Sequence, residues 1–120
     1  MTDPNSIADA YLALWNDGDD ASRHARLAAG WRTDARYADP IMASQGHNGI
    51  AAMIAEARSQ FPGHGFTLAG TPDGHRDFVR FSWTLAPAGG AAVAAGTDVV
   101  RLDSAGRIAE VIGFLDRGAA

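Results

Sequence analysis

Three side chains in this sequence combine a reactive type with a setting that could put it to use. Along Thr97 to Leu102, Asp98 shares a face with Val100 and Leu102, while Thr97, Val99 and Arg101 alternate onto the other. A carboxylate in an apolar row is held toward its neutral form, because burial penalises the charge, and a neutral carboxyl can donate a hydrogen bond. A register one residue off, or an ion pair with an arginine, would account for the same pattern. Asp39 precedes Pro40, which drives it out of helical geometry. An acid in that position often does no more than shape a turn. Tyr11 falls on the apolar face of a helix, where a tyrosine usually packs in the core with its hydroxyl bonded.

The elements that must carry these residues are readable from period and punctuation. Asp3-Pro4 opens a first helix in which Ile7, Ala8, Tyr11, Leu12 and Trp15 recur at helical spacing, and Gly18 offers a stop. Asp19 and Asp20 cap a second helix through Ala21, Ala25 and Ala28 to Gly30, expected to form a hairpin with the first. A strand from Thr33 to Ala38 delivers Asp39 at its end. Asn48 caps a third helix with Ile50, Met53, Ile54, Ala57 and Phe61 on one face, closed by Pro62-Gly63.

Beyond Gly63 the period changes. Residues 66–71, 76–86, 91–103 and 107–116 read as strands, with turns expected at Pro72-Asp73-Gly74, Ala88-Gly89-Gly90 and Asp103-Ser104-Ala105-Gly106. Val79, Phe81, Trp83 and Leu85 share one strand face and Arg80, Ser82 and Thr84 the other. Helices first, then a run of antiparallel strands, is the order of an α+β domain with helices on one face of a curved sheet. The 120 residues fit one domain, 1–120.

In this frame the three side chains resemble a constellation known from ketosteroid isomerases. Tyr11-Leu12-Ala13-Leu14-Trp15-Asn16-Asp17-Gly18-Asp19 is similar to that family's first helix, with its catalytic tyrosine shortly before an Asn-x-Gly-Asp turn. Asp34 to Pro40 resembles its strand leading to a catalytic Asp-Pro, and Asp98 takes the position of its oxyanion-hole acid. Gly96-Thr97-Asp98-Val99-Val100-Arg101-Leu102-Asp103, followed by Gly106-Arg107-Ile108 and Gly113-Phe114-Leu115-Asp116, looks still more like SnoaL-like proteins. These form the polyketide cyclase branch of the nuclear transport factor 2-like superfamily.

The resemblance runs from about residue 7 to residue 116 and implies a cone of three helices on a curved, mostly antiparallel sheet. It implies roles as well: Asp39 as the base that moves a proton beside a carbonyl, with Tyr11 and protonated Asp98 bonding the developing enolate oxygen. Two departures stand out. Ile54 occupies a place where some members carry a supporting tyrosine, and Pro40 to Gly46 is shorter than its isomerase counterpart, so a steroid substrate is not implied.

The cavity wall is expected to draw on Trp15 from the first helix and Ile50, Met53 and Ile54 from the third. Val79, Phe81, Trp83 and Leu85 would add one strand, and Val111, Gly113 and Leu115 another; each of these residues also reads as ordinary core. So apolar a pocket suits a small hydrophobic carbonyl compound better than a sugar or nucleotide. The expected function is cofactor-free acid/base catalysis, as an isomerase or cyclase. The alternatives are a non-catalytic binder of a hydrophobic molecule, or a lyase or epoxide hydrolase of the same fold, for which no strong Asp-Arg-Asp arrangement is visible.

Composition removes other classes. Ten arginines stand scattered against fourteen acids, for a net charge of −4, which makes nucleic acid a poor partner. No lysine is present, which excludes a Schiff base and a Walker-type phosphate lysine, and no cysteine, which excludes thiol chemistry. His24, His47, His64 and His75 show no metal-ligand spacing, so no metal is expected; His47 alone reads as near the pocket mouth. Neither a basic, apolar N-terminal leader nor a run near ~20 apolar residues is visible, so the chain reads as soluble and cytoplasmic, without a membrane partner. Ile108, Ile112 and Phe114, expected on the sheet face that no helix covers, suggest a homodimer.

Overall fold

Pro4, whose fixed φ suits the first helical position, opens α1 (Pro4–Asn16) in the computed structural model, which describes residues 3–117. Ala8, Tyr11, Leu12 and Trp15 are all buried, as their spacing predicts. At the helix end, the Asn16 amide pairs with the Phe66 backbone in both directions: Nδ2 donates to the carbonyl at 2.9 Å and Oδ1 accepts the N–H at 2.7 Å. In α2 (Asp20–Gly30), the Asp19 carboxylate accepts the Ser22 N–H at 2.8 Å and caps the first turn. This helix packs chiefly on the third helix and the first strand, so the expected hairpin with α1 is replaced by a layer across the fold.

The remaining elements are β1 (Trp31–Ala38), β2 (Ala43–Gln45), α3 (Gly46–Gln60), β3 (His64–His75), β4 (Phe78–Pro87), β5 (Ala94–Leu102) and β6 (Ile108–Arg117). They form one six-stranded sheet in the order β2-β1-β6-β5-β4-β3. Strands β3 to β6 make an antiparallel meander, and β1 joins β6 in parallel, pairing Tyr37 with Val111 and Ala38 with Ile112. The curved sheet does not close. Helix α1 lies over β3 and β4, while α3 lies over β1 and β2. Between these layers sits a core in which Leu14, Leu27, Ile50, Ile54, Val100 and Val111 are wholly buried.

Several local expectations are corrected. Pro72-Asp73-Gly74 is not a turn: β3 runs through it to His75, and the chain reverses at Arg76-Asp77, where Arg76 takes a φ of 52°. Pro72 is tolerated because β3 is an edge strand and its register shifts between Ala69 and Asp73, so no ladder hydrogen bond is demanded of it. Helix α3 starts at Gly46, leaving Asn48 inside the first turn and not at the cap. Strand β5 begins at Ala94 and not at residue 91, and the short β2 lies where the sequence pattern shows no strand. Ile108 is buried at 4%, turned inward where the register of β6 shifts beside Leu102, whereas Ile112 and Phe114 are exposed.

Candidate functional site

Strict alternation on β5 buries Ala94, Gly96, Asp98, Val100 and Leu102 in succession. Asp98 is only 3% exposed, and no arginine pairs with it among the described residues. Burial pushes its carboxyl up to about 6. Interactions with Tyr11 and Trp83 pull it down, while the charges of Asp39 and Asp116 add to the rise.

Two neighbouring strands bring the other polar groups to the same place. Because β1 runs parallel to β6, its end sets Asp39 beside Gly113, which is paired with Asp98. A Cβ placed on Gly113 would lie 2.8 Å from Asp98 Oδ1, 3.1 Å from Asp39 Cβ and 3.7 Å from the Tyr37 hydroxyl. All three thus surround a point that only glycine leaves open.

Asp39 is held from several sides. Its Oδ1 accepts the N–H groups of Ile41 and Met42, each at 2.8 Å, and its Oδ2 accepts the Tyr37 hydroxyl at 2.6 Å. Burial, with the nearby Asp98 and Asp39, keeps the Tyr37 hydroxyl firmly protonated. The Tyr11 hydroxyl is wholly buried beside Asp98, and burial followed by that charge raises it well above the ordinary tyrosine range. It faces Asp98, yet among the described residues it completes no hydrogen bond of good geometry, nor does Trp15 Nε1. The Tyr11 ring stacks on Trp31 at 6.0 Å and meets Phe81 edge-on at 5.0 Å, which fixes where the hydroxyl points.

These groups open onto a cavity of about 120 Å³ lined by Tyr11, Tyr37, Asp39 and Asp98. Trp15, Phe66, Trp83, Leu85, Ala94 and Leu115 supply an apolar wall. Room for it comes from small residues on β5: Trp83 lies so tightly across Gly96 that any Cβ there would fall inside its ring. Ile41 and Met42 come from the loop after Asp39, and Ala57, Arg58, Phe61 and His64 from the end of α3 and the segment after it.

Of the expected wall, Trp15, Trp83, Leu85 and Leu115 line the cavity. Ile50, Ile54, Val79, Phe81 and Val111 belong to the core, and Met53 packs against it. Alternation assigns a face, but it does not say which end of a strand or helix borders a space. Only the C-terminal ends of α3 and β4 reach this one. Gly113 contributes by its lack of a side chain.

Tyr37, Arg58 and His64 also line the cavity, outside the residues that the sequence pattern picks out. For Tyr37 the signal existed, since it stands two residues before Asp39 on the same strand face. His47 bonds the Trp31 carbonyl at 3.0 Å through Nε2 and does not line the cavity.

Residues 8–111 match the family model of the SnoaL-like domain. Among solved structures, a candidate isomerase of the SnoaL-like family from Agrobacterium tumefaciens is 52% identical, with a TM-score of 0.93 over 97% of this chain and 99% of that one. A candidate SnoaL-like polyketide cyclase from Jannaschia is 17% identical, with a TM-score of 0.71 over 97% and 90% of the two chains. A protein with a ketosteroid isomerase-like fold from Catenulispora acidiphila, solved with trimethylamine, is 15% identical, with a TM-score of 0.72 over 89% and 82%. These last two likenesses show the fold alone, an α+β cone. No curated protein sequence matches the chain.

Proposed function

Because this chain belongs to the SnoaL-like family, we propose that it is a cofactor-free acid/base enzyme acting on a small hydrophobic carbonyl compound, as an isomerase or a cyclase. The observation that carries the reading is Asp98. It is a buried carboxyl without a cationic partner, poised at about 6, and it faces an apolar cavity beside an unbonded tyrosine hydroxyl. A proton carrier works best when its pKa lies close to the working pH, and most buried polar groups with no task are bonded.

The adjacency of Tyr11 and Asp98 suits two substrate atoms that are themselves adjacent. Tyr11 donates to the carbonyl oxygen while ionised Asp98 removes a proton from the neighbouring carbon. The C–H electron pair moves into the carbonyl and leaves an enolate oxygen on the Tyr11 hydroxyl. Where a carbon–carbon double bond adjoins the enolate, protonated Asp98 then returns its proton to the far carbon of that dienolate and the double bond moves into conjugation with the carbonyl, which is an isomerisation. In a cyclisation the enolate carbon attacks a second carbonyl carbon, and the oxygen of that group takes the proton.

This reassigns the base expected from the family resemblance. The oxygens of Asp39 already accept three hydrogen bonds. It fits better as a fixed neighbour that, after the larger effect of burial, helps keep Asp98 basic. The same reading pairs two copies across the open sheet face, where Phe114 is 53% and Ile112 38% exposed.

Deuterium wash-in beside the carbonyl of a hydrophobic cyclic ketone, followed by NMR, tests the assignment. Exchange is expected with the native protein and is expected to fall by more than about a hundredfold in Asp98→Asn. If exchange survives in Asp98→Asn and collapses in Asp39→Asn, the base is Asp39. A ketone that binds without exchanging would make the chain a binding protein.

A further inference from the structure

The wall of the cavity includes a cation that the proton transfer does not use. Arg58, near the end of α3, is half-buried, and its Nη1 donates to the Trp15 carbonyl at 3.0 Å. Its Nη2 lies beside Gly18, at 3.3 Å from where a Cβ would stand. No carboxylate pairs with it among the described residues. The nearest acid in sequence to that corner, Asp17, is already taken by Ser22, Arg26 and the Asp19 amide.

A guanidinium carries five N–H donors in a rigid fork, and a single backbone carbonyl does not use them. The bond to Trp15 holds the fork in place beside the cavity. His64 lines the same cavity, with Nδ1 at 3.0 Å from the Pro62 carbonyl; its Nε2 has no hydrogen bond among the described residues.

The position of this cation relative to the oxygen-binding end follows from helix geometry. Trp15 lies four residues beyond Tyr11, about 6 Å of helix rise, so Arg58 is held against α1 one turn from the residue whose hydroxyl would meet the carbonyl. Besides Tyr11, Tyr37, Asp39 and Asp98, a guanidinium and an imidazole line the cavity, among its aromatic wall.

Resting on the proposed function, we infer that the substrate carries an anionic group, a carboxylate by preference, and that Arg58 binds it while the carbonyl end occupies Tyr11 and Asp98. The substrate class is then a hydrophobic keto acid. Arg58 sets specificity and takes no part in the proton transfer.

Phenols supply the test, since their oxygen mimics an enolate. The probes are para-hydroxyphenylpropionate and its amide, which share one shape and differ in charge, with para-hydroxyphenylacetate and its amide as a shorter pair. Binding is followed by phenol absorbance, which also reports ionisation of the ring oxygen. At low salt the native protein is expected to hold the acid of at least one pair about tenfold more tightly than its amide. That preference should shrink as ionic strength rises. In Arg58→Gln the ratio should collapse to near one, and Arg58→Lys should retain part of it; a ratio is unaffected by a uniform loss of folded protein.

Equal affinity within both pairs in the native protein, or a preference that survives in Arg58→Gln, overturns the inference. If the amides still bind with a perturbed phenol, the acid/base reading stands without it. If none of the four compounds binds, both readings fail together.

Discussion

Replacing Asp98 by Asn should make the protein more stable near neutral pH, by an amount set by the burial of that carboxyl. Its pKa rises from 3.8 to about 6 on folding, and each pH unit between the two is worth about 1.4 kcal/mol. Below 3.8 the group is protonated in both the folded and unfolded chain and costs nothing. As pH rises from there through about 6, the folded state binds more protons than the unfolded one, so stability falls. Above that window the loss is complete, at about 3 kcal/mol. The side chain is 3% exposed, so solvent screening takes little from this figure.

Asn has nearly the same shape and does not titrate. The stability difference between Asp98→Asn and the native protein should therefore be about 2 kcal/mol more favourable near pH 8 than near pH 4.5. In urea denaturation this appears as a midpoint gain larger at the higher pH by roughly 1–2 M. Comparing the two proteins at each pH cancels the acid lability contributed by Asp17, Asp34 and Asp103, whose hydrogen-bonded carboxylates lie below the usual range. A difference that is the same at both pH values, or larger near pH 4.5, would refute the claim that burial holds Asp98 near its proton.

Other perturbations probe the groups around it. Tyr11→Phe removes the hydroxyl that draws the Asp98 carboxyl down, so it should steepen the loss of stability with rising pH, read from urea midpoints near pH 4.5 and pH 8, together with lost affinity for phenolate ligands. Gly113→Ala forces a methyl to within 2.8 Å of Asp98 Oδ1; it should cost about 1–3 kcal/mol and lower deuterium exchange by tenfold or more. Tyr37→Phe deletes the 2.6 Å bond to Asp39 and should cost about 1–2 kcal/mol, read from urea midpoints. The native chain is expected to sediment as a dimer and Phe114→Glu, on the open sheet face, as a monomer.

How far a residue's surroundings were legible depended on whether they are set locally. Asp98 was readable because β5 alternates without a break, so a period of two alone turned it inward. The Pro72-Asp73-Gly74 segment misled because turn composition is only a tendency, and an irregular edge strand can absorb a proline and two turn formers. No propensity would place the reversal at Arg76, a residue rarely found at positive φ. Ile50, Ile54, Val79 and Phe81 were rightly apolar and inward, yet whether an inward residue meets core or cavity depends on where α1 and α3 cross the sheet. Arg58 could not have been found by pattern, because its place is given by a carbonyl 43 residues away in sequence.

The parallel seam between β1 and β6 has a consequence for how the chain acquires its chemistry. Asp39 and Tyr37 lie in the first third of the sequence, whereas Asp98 and Gly113 lie in its last quarter, and only docking of β1 against β6 brings them together. Closing so long a loop is entropically slow, which makes this seam a late event compared with the local hairpins of the meander. Until β6 has been made and docked, the pair of acids is not assembled. The elevated proton affinity of Asp98 arrives only with the finished sheet, so the group that costs stability is charged to the fold at the step where the fold is already nearly complete.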